Sequence, residues 1–362
     1  MTTYTLILRT LSPLHIGSGE ILRENFDFAI HEKKTWRLNE DEVLRAKENQ
    51  WLAARGSYPP PGKMLAPADF QNPQLFRYSM RGFPRSNRTY AELREFIKDV
   101  YDRPYIPGSS LKGAFRTALA WTGWNEINPR LDRNAIGRNK SWAGHPLEQK
   151  LFGNDPNHDL LRALHVSDLH GVETAGPGLI VVNAQVVTMR KKGSPVELEA
   201  LPGEIEFKGS LTIDETLFKP WAEKLGFINR KHWLDELMAR TQAHSKARID
   251  ELAQWFGNAD GAEKIASFYN TLAGVSPGKT QAFVQIGWGA GWDGKTFSTH
   301  LQKDKMLFEQ IVSDFRMHKT SRDNPSRRSP GDAFPRSKRV VVKDTLAAAP
   351  FGWALLELLP KG

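Results

Sequence analysis

The stretch "YIPGSSLKGAFRTALAW" (Tyr105 to Trp121) concentrates hydrogen-bond donors where a helix should begin. Pro107 fixes its own φ and pushes Ile106 towards extended geometry, and Gly108 permits a sharp turn. Ser109 or Ser110 is a good N-cap for a helix Leu111 to Ala120. Leu111, Ala114, Phe115, Ala118 and Leu119 then form one buried face, with Lys112 and Arg116 four apart on another. Gly113 falls in the first turn, where a missing Cβ lets another group approach the backbone. A helix N-terminus offers free N–H groups and partial positive charge, so hydroxyls and cations beside it suit an anion, phosphate first. The same residues also describe an ordinary capped helix with solvated cations. Neither the nucleotide-binding P-loop spacing nor a nucleophile elbow is present, because the lysine precedes the glycine and G-x-S-x-G is absent.

Three further stretches could do chemistry. "LSPLHIGSGEIL" (Leu11 to Leu22) places His15 before Gly17, Ser18 and Gly19. A loop histidine of this kind either acts as a general base or packs and donates a hydrogen bond. "LHVSDLHG" (Leu164 to Gly171) holds His165, Asp168 and His170, but on a strand His165 faces away from the other two. Two ligands do not close a metal site, so a strand end is the preferred reading. "IGWGAGWDGKT" (Ile286 to Thr296) sets Gly287, Gly289 and Gly291 around Trp288 and Trp292. Those indoles either stack on bases or anchor the loop.

The four stretches, in this order, resemble the RAMP superfamily of type III CRISPR systems. Within it they are most similar to the type III-A (Csm) subunit that caps the 3′ end of the guide RNA. The matching segments are short, but they span nearly the whole chain. The resemblance implies an α+β fold of two ferredoxin-like (RRM-type) RAMP modules with helical and irregular insertions. It also implies crRNA as ligand, target RNA as a further one left open, and backbone and small RAMP subunits as neighbours. By matching positions, His15, Gly17, Ser18 and Gly19 belong to a first conserved loop near RNA. Ser109, Ser110, Lys112 and Arg116 make the phosphate-facing helix start, and Gly287, Gly289 and Gly291 the loop that lets RNA near the backbone. The function implied is a non-catalytic RNA-binding structural subunit without a cofactor or metal, serving antiviral defence. The competing reading is a RAMP endoribonuclease using His15 or Asp27, although the "FDFAI" context of Asp27 does not match the target-cleaving subunit.

The elements needed to position these loops are legible in outline. Alternation over Tyr4 to Arg9 predicts a strand, and "FDFAI" with "TWRLN" around His31 to Lys34 predicts a hairpin. Asp41 caps a predicted helix through Trp51 and Leu52. Residues 56–90, with six prolines and Arg77, Arg81, Arg85 and Arg88, read as a basic irregular insertion, and 123–160 as another. β-Rich segments follow from Leu164 to about residue 213. Helices are predicted within 230–257 and 262–272, ending at Gly257 in the first case. Two modules result, 1–160 and 161–362.

The 362 residues carry 50 Lys and Arg against 41 Asp and Glu, a net +9 that favours a polyanionic partner. The strongest cluster runs from Arg316 to Lys343, nine Lys and Arg against two Asp, and reads either as a mobile arm ordering on a polyanion or as a solvated linker. No cysteine is present, which excludes disulfides and thiolate metal sites. No signal peptide is visible. The late apolar run Leu346 to Leu359 contains Pro350 and Glu357 and is too short to span a bilayer. The chain reads as cytoplasmic.

Overall fold

The computed structural model describes residues 1–53, 56, 58–85, 90–137, 139–172, 178–188, 195–294, 298–317, 331–332, 334–344 and 346–361. The chain opens with β1 (Thr2–Thr10), β2 (Gly17–Arg23) and the hairpin β3 (Phe28–His31) and β4 (Lys34–Leu38). Short helices α1 (Glu40–Ala46) and α2 (Glu48–Ala53) precede β5 (Phe76–Arg81), β6 (Glu92–Phe96) and β7 (Tyr105–Ile106). Then come α3 (Gly108–Ile127), α4 (Arg133–Ile136), α5 (His145–Phe152), β8 (Leu164–Val166) and β9 (Leu169–Gly171). β10 (Ile180–Thr188), β11 (Val196–Ala200) and β12 (Glu206–Ile213) lead to α6 (Lys231–Asp235), α7 (Leu237–Gly257) and α8 (Glu263–Ala273). The last elements are β13 (Gln281–Gln285), α9 (Ser298–Lys303), α10 (Lys305–Asp314), β14 (Ser337–Lys343), β15 (Leu346–Ala349) and β16 (Trp353–Pro360).

Helices and sheets pack together as an α+β fold. The first sheet has the order β13-β16-β1-β12-β9-β7, with β8 also on β12. β1 is antiparallel to both β12 and β16, and β9 is antiparallel to β12. With α3 between β1 and β8, and α7 between β12 and β16, the connectivity is βαββαβ, the ferredoxin-like pattern. β1 alternates as its sequence predicts: Leu6 and Leu8 are fully buried, while Arg9 is exposed. They share one core with Leu111, Phe115 and Leu119 of α3, Leu211 of β12 and Leu237 of α7. Burying each such side chain stabilises the fold by about 1.5–3 kcal/mol, so α3 is held with its opposite face outward.

The second sheet runs β2-β6-β11-β10-β5-β4-β3, with β14 on β10 and β15 on β14. Both sheets take strands from either side of residue 160, so that boundary does not separate them. β1 needs β12 and β16 as neighbours, which no cut of the chain into two consecutive modules supplies.

The predicted hairpin is present, its turn made by Glu32 and Lys33 at positive φ. The helix at 41–52 is two: α1 begins at Glu40, with Asn39 at its N-cap position but no side-chain cap hydrogen bond, and is broken at Lys47. The supposed irregular insertion contains β5, where Phe76, Tyr78 and Met80 alternate with exposed residues. Its arginines do not form one patch: Arg77 pairs with Asp102 and Arg85 with Asp344, and Arg88 lies outside the described residues. The 316–343 tract is not one free arm. Residues 337–343 form β14, paired with β10 over Asn183–Thr188, while 318–330 and 333 lie outside the described residues. Among the described residues no helix is long and apolar enough to cross a membrane.

Candidate nucleic-acid interface

α3 begins earlier than the serines suggest. Pro107 is the N-cap and Gly108 the first helical residue. The Gly108 N–H donates to the Asp168 carboxylate at 2.8 Å. A Cβ on Gly108 would lie 2.2 Å from the Val166 carbonyl oxygen, so only glycine lets the helix start against the "LHVSDLHG" strands. Asp168 therefore serves as the anionic cap of α3 and complements its dipole. His165 pairs across to Thr212, and His170 lies beside the Tyr105 ring.

Ser109 is exposed and Ser110 half-buried, with the Ser110 N–H donating to the Pro107 carbonyl at 2.9 Å. Lys112 is half-buried and makes no hydrogen bond or ion pair among the described residues. Desolvation lowers its pKa, with Asp159 opposing and Arg116 reinforcing the shift. Gly113 next to it is exposed, and a Cβ there would meet no atom within 4 Å. Arg116 is engaged internally: it donates to Asp159 at 2.7 Å, approaches Glu148 at 3.4 Å and lies 4.1 Å from the Phe152 ring centroid. The open strip of α3 is thus Ser109, Lys112 and Gly113, with Arg116 behind it in an acidic clasp.

The first loop and the glycine loop are zipped to each other. The Trp288 N–H donates to the His15 carbonyl at 2.8 Å, and Gly352, just before β16, bridges the two loops: its N–H donates to the Pro13 carbonyl and its carbonyl accepts from the Ile286 N–H, both at 2.9 Å. Gly287 has φ +75°, and a Cβ there would sit 2.4 Å from the His15 carbonyl oxygen. Gly289, at φ +95°, would meet Phe351 at 2.7 Å. Close approach at these two glycines is made by protein. Trp288 packs edge-to-face on Phe351 and under Arg339, and Trp292 packs on Phe308 and Phe334. The indoles anchor the loop. Gly291, at φ +80°, is exposed, with Asp293 two residues on. Burial alone would raise the Asp293 carboxyl, but Arg248 at 2.9 Å and Lys338 outweigh it and hold it below its ordinary value. That cluster ties the loop to α7 and β14. A small cavity lined by Ala114 and Thr117 of α3, His244 and Arg248 of α7, Gln285 and Gly294 brings the helix start beside the glycine loop.

His15 is only 2% exposed. Its Nδ1 donates to the Glu199 carbonyl at 2.6 Å, and its ring meets Phe96 edge-on. Burial, opposed by that hydrogen bond and aided by Arg94 and Lys98, lowers its pKa to about 4. Gly17, Ser18 and Gly19 are exposed. The Ser18 hydroxyl donates to Glu95 at 2.9 Å and accepts from the Glu20 N–H at 3.1 Å. Gly19 has φ +104° and open space around its missing Cβ. Beneath them lies a network that sequence reasoning missed. Buried Glu199 accepts from Tyr78 (2.8 Å), Lys98 (2.7 Å) and the Phe96 N–H (2.9 Å). No local signal could have found it, because Glu199 is one of two glutamates in the short strand β11 and its partners are about a hundred residues away. Asp27 accepts from the Arg23 N–H at 2.7 Å within its own turn.

The family model described as the RAMP superfamily matches residues 7–292. The chain is 28% identical over 248 residues to the CRISPR system Cms protein Csm5 of Streptococcus thermophilus, covering 59% of this chain and 65% of that protein. It is 28% identical over 275 residues to the protein of that name from Methanocaldococcus jannaschii, covering 70% and 63%. The matches thus span a little under two thirds of those relatives. The Csm5 of Mycobacterium tuberculosis is 24% identical over 342 residues, 82% of this chain and 83% of that one. Among solved structures, a chain of the Csm–crRNA–target RNA ternary complex of a type III-A CRISPR–Cas system superposes with TM-score 0.69 at 22% identity, covering 99% of this chain and all of that one. The crystal structure of T. onnurineus Csm5 gives 0.66 at 21% identity, covering 96% and 99%. At these identities the structural likeness is one of fold.

Proposed function

Because the chain belongs to the RAMP superfamily, we propose that it is a non-catalytic RNA-binding subunit of a type III-A CRISPR effector, a counterpart of the proteins named Csm5. In this reading it caps the 3′ segment of the crRNA by phosphate and shape contacts and meets neighbouring backbone and small RAMP subunits through protein surface. Base pairing of the guide with target RNA supplies sequence choice. The setting is cytoplasmic antiviral defence, and no cofactor is required.

The observation that carries it is the open strip of α3. A glycine inside a helix costs about 0.5–1 kcal/mol relative to alanine. Gly113 sits there with no protein atom near its missing Cβ, so packing does not account for it. Beside it Lys112 gives up part of its hydration, a loss that the charge of Asp159, whose carboxylate is already taken by Arg116, offsets only in part. A bare helix backbone next to a cation that makes no hydrogen bond or ion pair among the described residues suits a phosphate of a polynucleotide drawn close to the chain. The names of the relatives and the fold shared with a chain of an RNA-bound complex support the same reading.

Two observations support the non-catalytic reading. His15 is buried with Nδ1 committed to a carbonyl, and Asp27 closes its own turn. The test is titration of the full chain with single-stranded guide RNA at several salt concentrations. Lys112→Ala should weaken binding and reduce the slope of log K against log salt by about 0.7, the value for one lost phosphate contact on a single strand. Arg116 is left intact because its ion pairs serve the fold. Unchanged affinity and slope would refute the α3 site. Discrete RNA fragments that vanish with His15→Ala or Asp27→Ala would place the chain among the endoribonucleases instead.

A further inference from the structure

The far end of β2 carries chemistry that the loops above do not use. β2 leaves the first loop at Gly17 and ends at Arg23, a run of about 20 Å at strand rise. Among the described residues it is an edge strand, paired with β6 alone. The turn after it is closed by the Phe26 and Asp27 N–H groups on the Arg23 carbonyl (3.2 and 2.9 Å) and by the Asn25 N–H on the Phe28 carbonyl (2.7 Å). Glu24 is bound twice to Ala91: its N–H donates to the carbonyl at 2.9 Å, and its carboxylate accepts from the N–H at 3.1 Å. A third segment, the 3-10 turn Pro61–Met64, closes from the other side. The Gly62 N–H donates to the Asn25 carbonyl at 2.8 Å, and a Cβ on Gly62 would lie 2.8 Å from the Asn25 Cα. Three distant stretches are locked together there, and they hold Phe26, Tyr90 and Lys63 outward. Phe26 is 46% and Tyr90 39% exposed, with their rings edge-to-face at 6.2 Å. The Lys63 ammonium stands 5.5 Å from the centroid of the Tyr90 ring.

We propose that Phe26 and Tyr90, with Lys63, form a base-stacking platform for single-stranded RNA that follows the free edge of β2 from the Gly17–Gly19 loop. The proposal rests on the reading of this chain as an RNA-binding subunit. Sites for single strands combine cations along the backbone with aromatic faces for the bases, and both kinds of group meet here. Of the nearby carboxylates, Asp27 accepts from the Arg23 N–H within the turn and Glu24 from the Ala91 N–H. Rings held on a rigid turn lose little further entropy when a base arrives.

The experiment titrates the full chain with single-stranded RNA carrying 2-aminopurine at successive positions. Binding should quench the fluorophore at a defined position. Phe26→Ala and Tyr90→Ala should each weaken binding about ten-fold. The salt slope should stay that of the wild type, because no phosphate contact is lost. Phe26→Trp should keep the affinity. Both positions are exposed, and unchanged thermal unfolding will show that the variants fold. If the wild type binds RNA while both alanine variants keep its affinity, the platform is refuted and the functional reading stands. If the variants lose a protein neighbour and keep RNA, the surface docks protein and the platform is equally refuted. A wild type that binds no RNA overturns the functional reading itself.

Discussion

His15 shows how a side chain that looks reactive in the sequence becomes structural in the fold. Its loop marks it as a base or a hydrogen-bond donor, and the choice is made by the Glu199 carbonyl, 184 residues further on. Burial lowers its pKa to about 4, and burial with help from Arg248 does the same for His244. The ordinary value of about 6.5 applies to the unfolded chain. As pH falls through 6.5, the unfolded state takes up protons that the folded state refuses, so these two groups favour unfolding progressively down to about pH 4. Each contributes on the order of 3 kcal/mol across that window, at about 1.4 kcal/mol per pKa unit. We expect the melting temperature to drop between pH 7 and 4.5. His15→Asn, whose side-chain amide can still donate to the Glu199 carbonyl, should flatten part of that slope. Calorimetry across the window checks this, and a melting temperature independent of pH between 6.5 and 4.5 would refute it.

At the scale of elements, glycines that look alike in the sequence separate into two kinds. Gly287 and Gly289 are required by the fold, because both have positive φ and a Cβ on either would collide with protein. Gly113 has neither restriction. Gly113→Ala should therefore stabilise the chain by about 0.5–1 kcal/mol while weakening RNA binding. Gly287→Ala should cost about 1–3 kcal/mol from backbone strain alone, before its clash with the His15 carbonyl. Denaturant unfolding and RNA titration on the same variants separate the two effects. A Gly113→Ala protein that is more stable and binds RNA as before would remove the argument drawn from that glycine. Sequence reading found the β1 strand, the 28–38 hairpin, α7 and α8, where periodicity is strong and local. It placed the start of α3 three residues late, because the cap comes from Asp168 and the need for glycine at 108 from the Val166 carbonyl, both distant in sequence. It passed over β5, whose buried Phe76, Tyr78 and Met80 alternate correctly but are surrounded by prolines.

At the scale of the whole molecule, long-range pairing is what the sequence concealed. A reading in consecutive modules places β1 with residues 1–160, yet both neighbours of β1 come from beyond residue 200. Leu6 lies between Gly209 and Leu358, and β16 in turn carries β13. The second sheet is shared in the same way, with β6 on β11 and β5 on β10. A strand without its ladder partners leaves backbone N–H and C=O groups and an apolar face exposed, at a cost that a half-sheet does not recover. We therefore expect fragments 1–160 and 161–362, made separately, to lack cooperative unfolding transitions. Mixed from denaturant, they should regain one, because the missing strands then meet their partners. Circular dichroism melts of each fragment and of the mixture check this. A cooperative melt from fragment 1–160 alone would mean that β1 needs neither β12 nor β16, contrary to the register that holds the first loop against the glycine loop.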